Sequence, residues 1–348
     1  MKRNLKLVVG FLVAIMLASA LVGCSSEPKE TLTVYNWGDY IDESVLREFE
    51  KEFNVKVIYD TFSTNEDMYV KLKSGGASYD VAFPSDYMIE RMIKEDMLHK
   101  IDMNNVDNYK YIDDKFKNLE FDPTNEYSVP YMWGTVGILY DKTVVTEPVD
   151  SWDILWDEKY KGQILMMDSQ RDSIGITLQK LGFSLNSRDP QELELAKAEL
   201  IKQKPLVMAY VVDEVKDMMI GGEAALAVAW SGDAMLMMGQ NENLEYAVPK
   251  EGSNLWFDNM VIPKSAKNKE LAEKFINFMT RPEISLKNVE YIEYSTPNTG
   301  TMELMDEEIL NNEAAYPSDE VIENCEVFLD PSDFLKEYDR IWTEIKAH

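Results

Sequence analysis

Four short stretches of this 348-residue chain set an aromatic ring beside a carboxylate. They are Tyr35-Asn36-Trp37-Gly38-Asp39-Tyr40, Pro84-Ser85-Asp86-Tyr87, Trp230-Ser231-Gly232-Asp233 and Trp256-Phe257-Asp258. Each lies at the end of a run that reads as a strand, and in open α/β sheets ligands sit in the crevice beyond the carboxyl ends of strands. Brought together, such loops line a cleft with aromatic walls and acidic ends. That mixture suits an aliphatic di- or triamine. Its methylenes need apolar contact, and Trp and Tyr faces supply it while attracting the cation, about 0.5–2 kcal/mol per ring. Its ammonium groups need carboxylates, because burying an isolated charge is prohibitive. Ser and Tyr hydroxyls can accept the ammonium protons left over. Taken singly, a Trp at a strand end is more often core packing, and Asp42, Asp86 and Asp233 each read as helix caps. Repetition of the pairing is what points to a ligand.

The elements that must position these residues alternate between strand and helix. Leu32 to Asn36 reads as a strand, and Asp42 caps a helix with Val45, Leu46, Phe49 and Phe53 on one face. Val55 to Tyr59 is the next strand, and Thr64 with Asp67 resembles a capping box opening a helix through Leu72. Asp80 to Phe83 is a third strand, with a helix following from about Tyr87. This β-α-β-α-β run predicts a mostly parallel sheet with helices on its faces. Near Tyr127 to Asp141 two apolar stretches meet at Trp133-Gly134, and a second α/β region follows. Ile164 to Met167 and Ala225 to Ala229 read as buried strands, with Gly221-Gly222 stopping a helix ahead of the latter. Asn268 to Met279 is an amphipathic helix broken by Arg281-Pro282, and a last helix spans about Ser332 to Ile345.

The first 24 residues read as an address rather than as part of the fold. Lys2, Arg3 and Lys6 precede an apolar run from Leu7 to Ala20, an export signal too short to span a membrane. It ends in Leu21-Val22-Gly23-Cys24, which resembles a bacterial lipobox. The resemblance implies a signal peptide over residues 1–23 and lipidation of Cys24, with residues 24–30 as a tether. The mature chain of 325 residues suits two domains. Only Cys325 remains besides Cys24, so no internal disulfide is expected, and a chain with two histidines and two cysteines disfavours structural zinc. The formal charge is −28, or −31 once Lys2, Arg3 and Lys6 are removed. Such a field repels nucleic acid and favours the approach of small cations.

Beyond these readings, the chain resembles the spermidine/putrescine-binding proteins of polyamine ABC importers. The resemblance rests on Tyr35-Asn36-Trp37-x-x-Tyr40, Ser63-Thr64-Asn65-Glu66, Asp80-Val81-x-x-Pro84-Ser85 and Pro130-Tyr131-Met132-Trp133-Gly134. It continues through Ser151-Trp152, Tyr160-Lys161-Gly162, Trp230-x-Gly232, Pro249-Lys250-Glu251-Gly252 and Thr296-Pro297-Asn298. It implies an α/β fold of two lobes, the type II periplasmic-binding-protein-like arrangement, each lobe a mixed sheet flanked by helices with a hinge between. One lobe would hold residues 31–135 and 257–298, the other 136–256 and 299–348. Carried over by motif, the ligand residues are Trp37, Tyr40, Ser85, Tyr87, Asp172, Trp230, Trp256, Asp258 and Tyr294, with Asp258 as the firmest anchor. Spermidine-preferring members have a further acid where Ser169 stands, and a Gln where Phe328 stands. Asp39 and Asp233 look like positions used by putrescine-preferring members, whereas Tyr87 and Trp256 look like the spermidine branch. The resemblance also implies the permease and ATPase subunits of an importer as partners, a monomer, and a place on the outer face of the cell membrane. It implies no cofactor, no metal and no catalysis.

Two other classes compete. Paired acids among tryptophans also describe glycosidase clefts, but neither a nucleophile elbow nor a His-assisted triad is present. A different ligand on the same fold, such as thiamine, an amino acid, a sugar or ferric iron, is the second. Iron is disfavoured because Trp offers no ligand atom, calcium because no D-x-[DN]-x-[DN]-G loop occurs, and an anionic amino acid because only Arg171 lies near the proposed site.

Overall fold

The computed structural model describes residues 30–348. The export signal and Cys24 lie outside the described residues. Among the described residues nine strands form one sheet. They are β1 (Thr31–Trp37), β2 (Lys56–Phe62), β3 (Val81–Ala82), β4 (Ser128–Asp141), β5 (Ile164–Met167), β6 (Val207–Val211), β7 (Leu226–Trp230), β8 (Leu244–Ala247) and β9 (Leu255–Val261). Their order is β2-β1-β3-β9-β4-β7-β5-β6, with β8 on β4.

The expected parallel run is present: β1 pairs in parallel with β2 and β3, and β5 pairs in parallel with β6 and β7. Between these two parallel groups lies an antiparallel centre. The first half of β4, Ser128 to Thr135, pairs with β9, and its second half pairs with β7 and β8 from Val136 onward. The two apolar stretches around Trp133-Gly134 are therefore one continuous strand of 14 residues that belongs to both halves of the sheet. Gly134, where the two stretches meet, needs its missing side chain: a Cβ there would lie 2.5 Å from the Trp256 ring.

Helix ends follow their caps. The Asp42 carboxylate accepts from Ser44 N at 2.8 Å and opens α1 (Glu43–Phe53), which ends at Asn54 in the left-handed region. Thr64 accepts from Asp67 N and opens α2 (Asn65–Ser74). The next helix, α3 (Asp86–Lys94), starts directly after β3. Ser169 opens α4 (Gln170–Lys180), followed by α5 (Pro190–Gln203), α6 (Glu214–Ile220) and α7 (Ser231–Gln240). The amphipathic segment is α8 (Lys269–Met279), with Leu271, Phe275, Ile276 and Met279 buried. Pro282 does not merely end it. It occupies the first turn of α9 (Pro282–Ile292), where its missing N–H costs nothing. The last helix is α13 (Leu335–Ala347), after three short turns α10 (Thr299–Met302), α11 (Glu307–Leu310) and α12 (Asp319–Glu323).

Each half of the sheet has its own packing. Phe49 of α1 meets Phe275 and Phe278 of α8 at 5.1 and 5.3 Å, sealing one side. On the other side α13 packs on α4 and α5 through Tyr338, Ile341 and Ile345, all buried. The chain crosses between these regions at β4 and again at β9, so the strand ends facing one another come from both.

Candidate functional site

Asp258 sits in β9 opposite Met132 of β4. The pairing slips by one residue between Pro130 and Met132, where Pro130 has no N–H to give the ladder and Tyr131 is the extra residue. That bulge sends the Tyr131 hydroxyl to the Tyr40 carbonyl at 2.8 Å, which fixes the turn after β1. The turn in its place lets the Tyr40 hydroxyl donate to Asp258 Oδ2 at 2.8 Å. The Ser85 hydroxyl, at the start of α3, donates to Asp258 Oδ1 at 2.6 Å. Three sequence clusters thus meet at one carboxylate that is 6% exposed. Burial raises its pKa to about 6, and the Ser85 and Tyr40 hydroxyls resist that rise. No Lys or Arg pairs with Asp258 among the described residues. It is a buried acid stabilised only by neutral donors.

A second group surrounds the first. Asn65, buried at the start of α2, accepts from Ser85 N at 3.1 Å and donates to Ser85 Oγ and to the Tyr87 hydroxyl. Tyr87 in turn donates to Glu66 Oε1 at 3.1 Å. Across from it, Ser169 and Asp172 form a reciprocal box at the head of α4, with Ser169 Oγ donating to Asp172 Oδ2 at 2.6 Å. Asp172 Oδ1 is buried and has no hydrogen-bond partner among the described residues. Burial raises the Asp172 pKa, opposed first by Ser169. Between Tyr87 and Asp172 lies Arg171. Its guanidinium stands 4.4 Å from the Phe328 ring, 4.8 Å from Tyr338 and 5.7 Å from Tyr87. It donates to Asn186 and to the Leu329 carbonyl rather than to a carboxylate.

The third group is aromatic. Tyr294 follows α9, whose end is turned by Glu293 at a φ of 58°. Its ring lies 5.3 Å from Tyr40 and 5.4 Å from Trp256. The Trp256 indole donates to the Thr135 carbonyl at 3.3 Å. On its far side, Tyr294 faces Asp233, which also lies 3.6 Å from Lys216 Nζ. Burial holds Asp233 above the usual carboxylate range, with Lys216 opposing.

The structure therefore brings Tyr40, Ser85, Asp258, Tyr294 and Trp256 into one contact network, with Tyr87, Asp172 and Asp233 at its margins. It does not bring all the sequence-predicted residues there. Trp37 packs on Phe62 at 4.5 Å and gives its indole N–H to the Phe83 carbonyl. Asp39 is exposed in a left-handed turn with a φ of 47° and makes no contact with Asp258. Trp230 is half-buried at the end of β7, in the N-cap position of α7. Two cap readings are corrected. Asp86 is the first residue of α3, after the cap position at Ser85, and is buried, accepting from Phe257 N at 3.0 Å, so it ties the helix to β9. Asp233 lies two residues inside α7 and faces Tyr294 and Lys216 instead of capping. Asn65, Glu66, Tyr131 and Arg171 join the network although the sequence does not mark them as site residues. The Ser63-to-Glu66 motif carried the signal for the first two. Among the described residues no group of three His, Cys, Asp or Glu side chains is gathered as a metal site requires.

This arrangement can hold a small organic cation: a buried acid with neutral donors at one end, aromatic faces alongside, and a second acid with a free oxygen lobe beyond. Comparison with known proteins agrees in fold and family. Residues 44–317 match the bacterial extracellular solute-binding protein family. The spermidine/putrescine-binding periplasmic protein of Escherichia coli is 38% identical over 338 residues, 97% of each chain. The solved spermidine/putrescine ABC transporter substrate-binding protein of Streptococcus pneumoniae is 46% identical. It superposes with a TM-score of 0.80 over 91% of this chain and 99% of that one. A lipoprotein of Treponema pallidum, 26% identical, superposes with a TM-score of 0.83 over 92% of this chain and 100% of that one. The fold is the two-lobed type II arrangement of periplasmic binding proteins. With a family match over most of its length and relatives aligned nearly end to end, this chain belongs to the bacterial extracellular solute-binding proteins.

Proposed function

We propose that the protein binds a polyamine, spermidine or putrescine, in the cleft around Asp258 and delivers it to the permease of an ABC importer. One observation carries this reading: a buried carboxylate, Asp258, has two hydroxyl donors, aromatic neighbours and, among the described residues, no cationic side chain paired with it. A carboxylate in such a place is costly unless a cation completes it. An ammonium group supplies that charge, and Tyr294 and Trp256 supply the apolar flank that a methylene chain requires. The names of the relatives in Escherichia coli and Streptococcus pneumoniae support the same ligand class. Trp37, Asp39 and Trp230 belong to this reading as residues of the cleft margin, and Tyr87, Asp172 and Asp233 as its further polar walls. The chain acts as a carrier and not as an enzyme.

The lobes are drawn at residues 31–135 with 257–298, and 136–256 with 299–348, in keeping with the hand-over of β4 from β9 to β7 at Thr135 and Val136. Contacts of Thr299 with Tyr111 and of Tyr316 with Thr296 favour moving the last crossing past Tyr316. We also place the protein on the outer face of the cell membrane, held through lipid on Cys24, as a monomer. The Leu21-Val22-Gly23-Cys24 motif supports the anchor, and the Treponema pallidum relative carries the name lipoprotein. A thermal-shift panel tests the ligand. Stabilisation by spermidine or putrescine, and not by thiamine, amino acids or sugars, is the expected result. Stabilisation by thiamine alone would transfer the cleft to another cation.

A further inference from the structure

The Tyr294 ring lies directly on Gly232. A methyl group built on the Gly232 Cα would fall inside that ring, overlapping its Cγ, Cδ1 and Cε1 atoms. Nothing in the backbone at Gly232 calls for glycine. It sits in the first turn of α7 without a positive φ, a place where alanine is the better helix former. The glycine answers to Tyr294, not to its own helix. Tyr294 belongs to the segment 257–298 and Gly232 to 136–256, so this contact crosses the cleft. It is also continuous with the ligand cluster, since the Tyr294 ring touches Tyr40 and Trp256 and its hydroxyl faces Asp233.

We propose that Gly232 is a closure-determining residue: its missing side chain is the socket into which Tyr294 seats when the lobes close, which makes ligand affinity depend on residue 232 although it touches no ligand. This rests on the polyamine reading of the same cleft. A side chain at 232 leaves each lobe intact and even favours α7, yet it keeps Tyr294 off the helix and holds the lobes apart. Because packed interiors do not deform continuously, one methyl group suffices to shift such a two-state contact. The penalty falls on the closed state alone, so it appears as lost affinity in proportion to the closed population removed.

A double-mutant cycle tests this with spermidine and putrescine as probes. Gly232→Ala should weaken binding by roughly tenfold or more, while the ligand-free melting temperature stays at or above that of the parent. Tyr294→Ala weakens binding on its own account, as a residue of the cleft. In that background, Gly232→Ala should cost no more than about twofold, because the ring it obstructs is gone. Equal losses with and without Tyr294 would overturn the proposal, as would unchanged affinity in the single variant. If Gly232→Ala melts far below the parent, the residue serves the fold and the proposal fails. Were the parent to bind neither amine, the polyamine reading would fall separately. X-ray scattering of the ligand-free proteins would then decide: an increased radius of gyration in Gly232→Ala, restored by adding Tyr294→Ala, supports the socket, and unchanged radii contradict it.

Discussion

The Tyr40 hydroxyl donates to Asp258 Oδ2 across 2.8 Å, although 218 residues separate the two in the chain. One comes from the turn after the first strand and the other from the ninth, and the β4 bulge at Tyr131 brings them together. Asp258 is thereby held by the protein's own groups. Preorganisation of this kind raises affinity by lowering the ordering cost of binding.

Asp258→Asn should weaken polyamine binding by roughly 2–5 kcal/mol, the usual effect of leaving a buried charge without its partner. The ligand-free protein should not lose stability with it. The ionised carboxyl is disfavoured where it stands, its pKa lying near 6 rather than 3.8, and that difference is worth ~3 kcal/mol at neutral pH. Titration calorimetry and melting curves on the same variant separate the two effects. Parent-like binding would remove Asp258 as the anchor.

The pH dependences of binding and of stability should run in opposite directions. A carboxyl whose folded pKa is raised contributes stability that is present below its unfolded pKa and lost as pH rises through the folded value. Asp258 does so between its ordinary 3.8 and about 6, and Asp86, Asp172 and Asp233 are shifted in the same direction by burial. For these groups the ligand-free protein gains stability as pH falls from 7 toward 5. Polyamine binding needs Asp258 ionised, so affinity should fall over the same range. Near pH 6 binding should release protons, seen as calorimetric heats that differ between buffers of different ionisation enthalpy. Heats independent of buffer at that pH would contradict the assignment.

Trp256→Ala should damage both the fold and the site. Trp256 is 5% exposed, donates to the Thr135 carbonyl and lies over Gly134 as well as Tyr294. Truncating so large a buried ring costs about 3–5 kcal/mol, so the ligand-free melting temperature should drop markedly. Unchanged melting with lost binding would mean the ring serves the ligand only.

The pairing of rings with acids was legible in the sequence, and so were the β-α-β-α-β start, most helix ends and Asp258 as a candidate, which the structure joins to Tyr40 and Ser85. Each depends on local spacing: caps on one or two neighbours, helix faces on a repeat of three or four residues. What the sequence left closed was long-range. Asn65 reaches Ser85 and Tyr87 across 20 and 22 residues; the Ser63-to-Glu66 motif contains it, but nothing local names those partners. Asp86 looked like a cap because it opens a helix, but its partner is Phe257 N, 171 residues away. Gly134 shows in the sequence only as the place where two apolar stretches meet. The reason for a glycine there, Trp256 lying across it, is visible only once β4 and β9 are paired.

Cys24→Ser should release the exported protein from membranes into the medium, as fractionation of expressing cells would show. Continued retention would count against the lipid anchor, and with it against the tethered position proposed for the carrier.

An acidic, aromatic cleft of this build should take a polyamine. The most direct test is calorimetric titration of a soluble form beginning at Ser25, freed of carried-over amine by partial unfolding and dialysis, with spermidine and putrescine in turn. Saturable one-to-one binding of at least one amine, in the micromolar range or tighter and lost in Asp258→Asn, is the predicted result. No heat with either amine, and no shift in melting, would contradict the claim and assign the cleft to another solute.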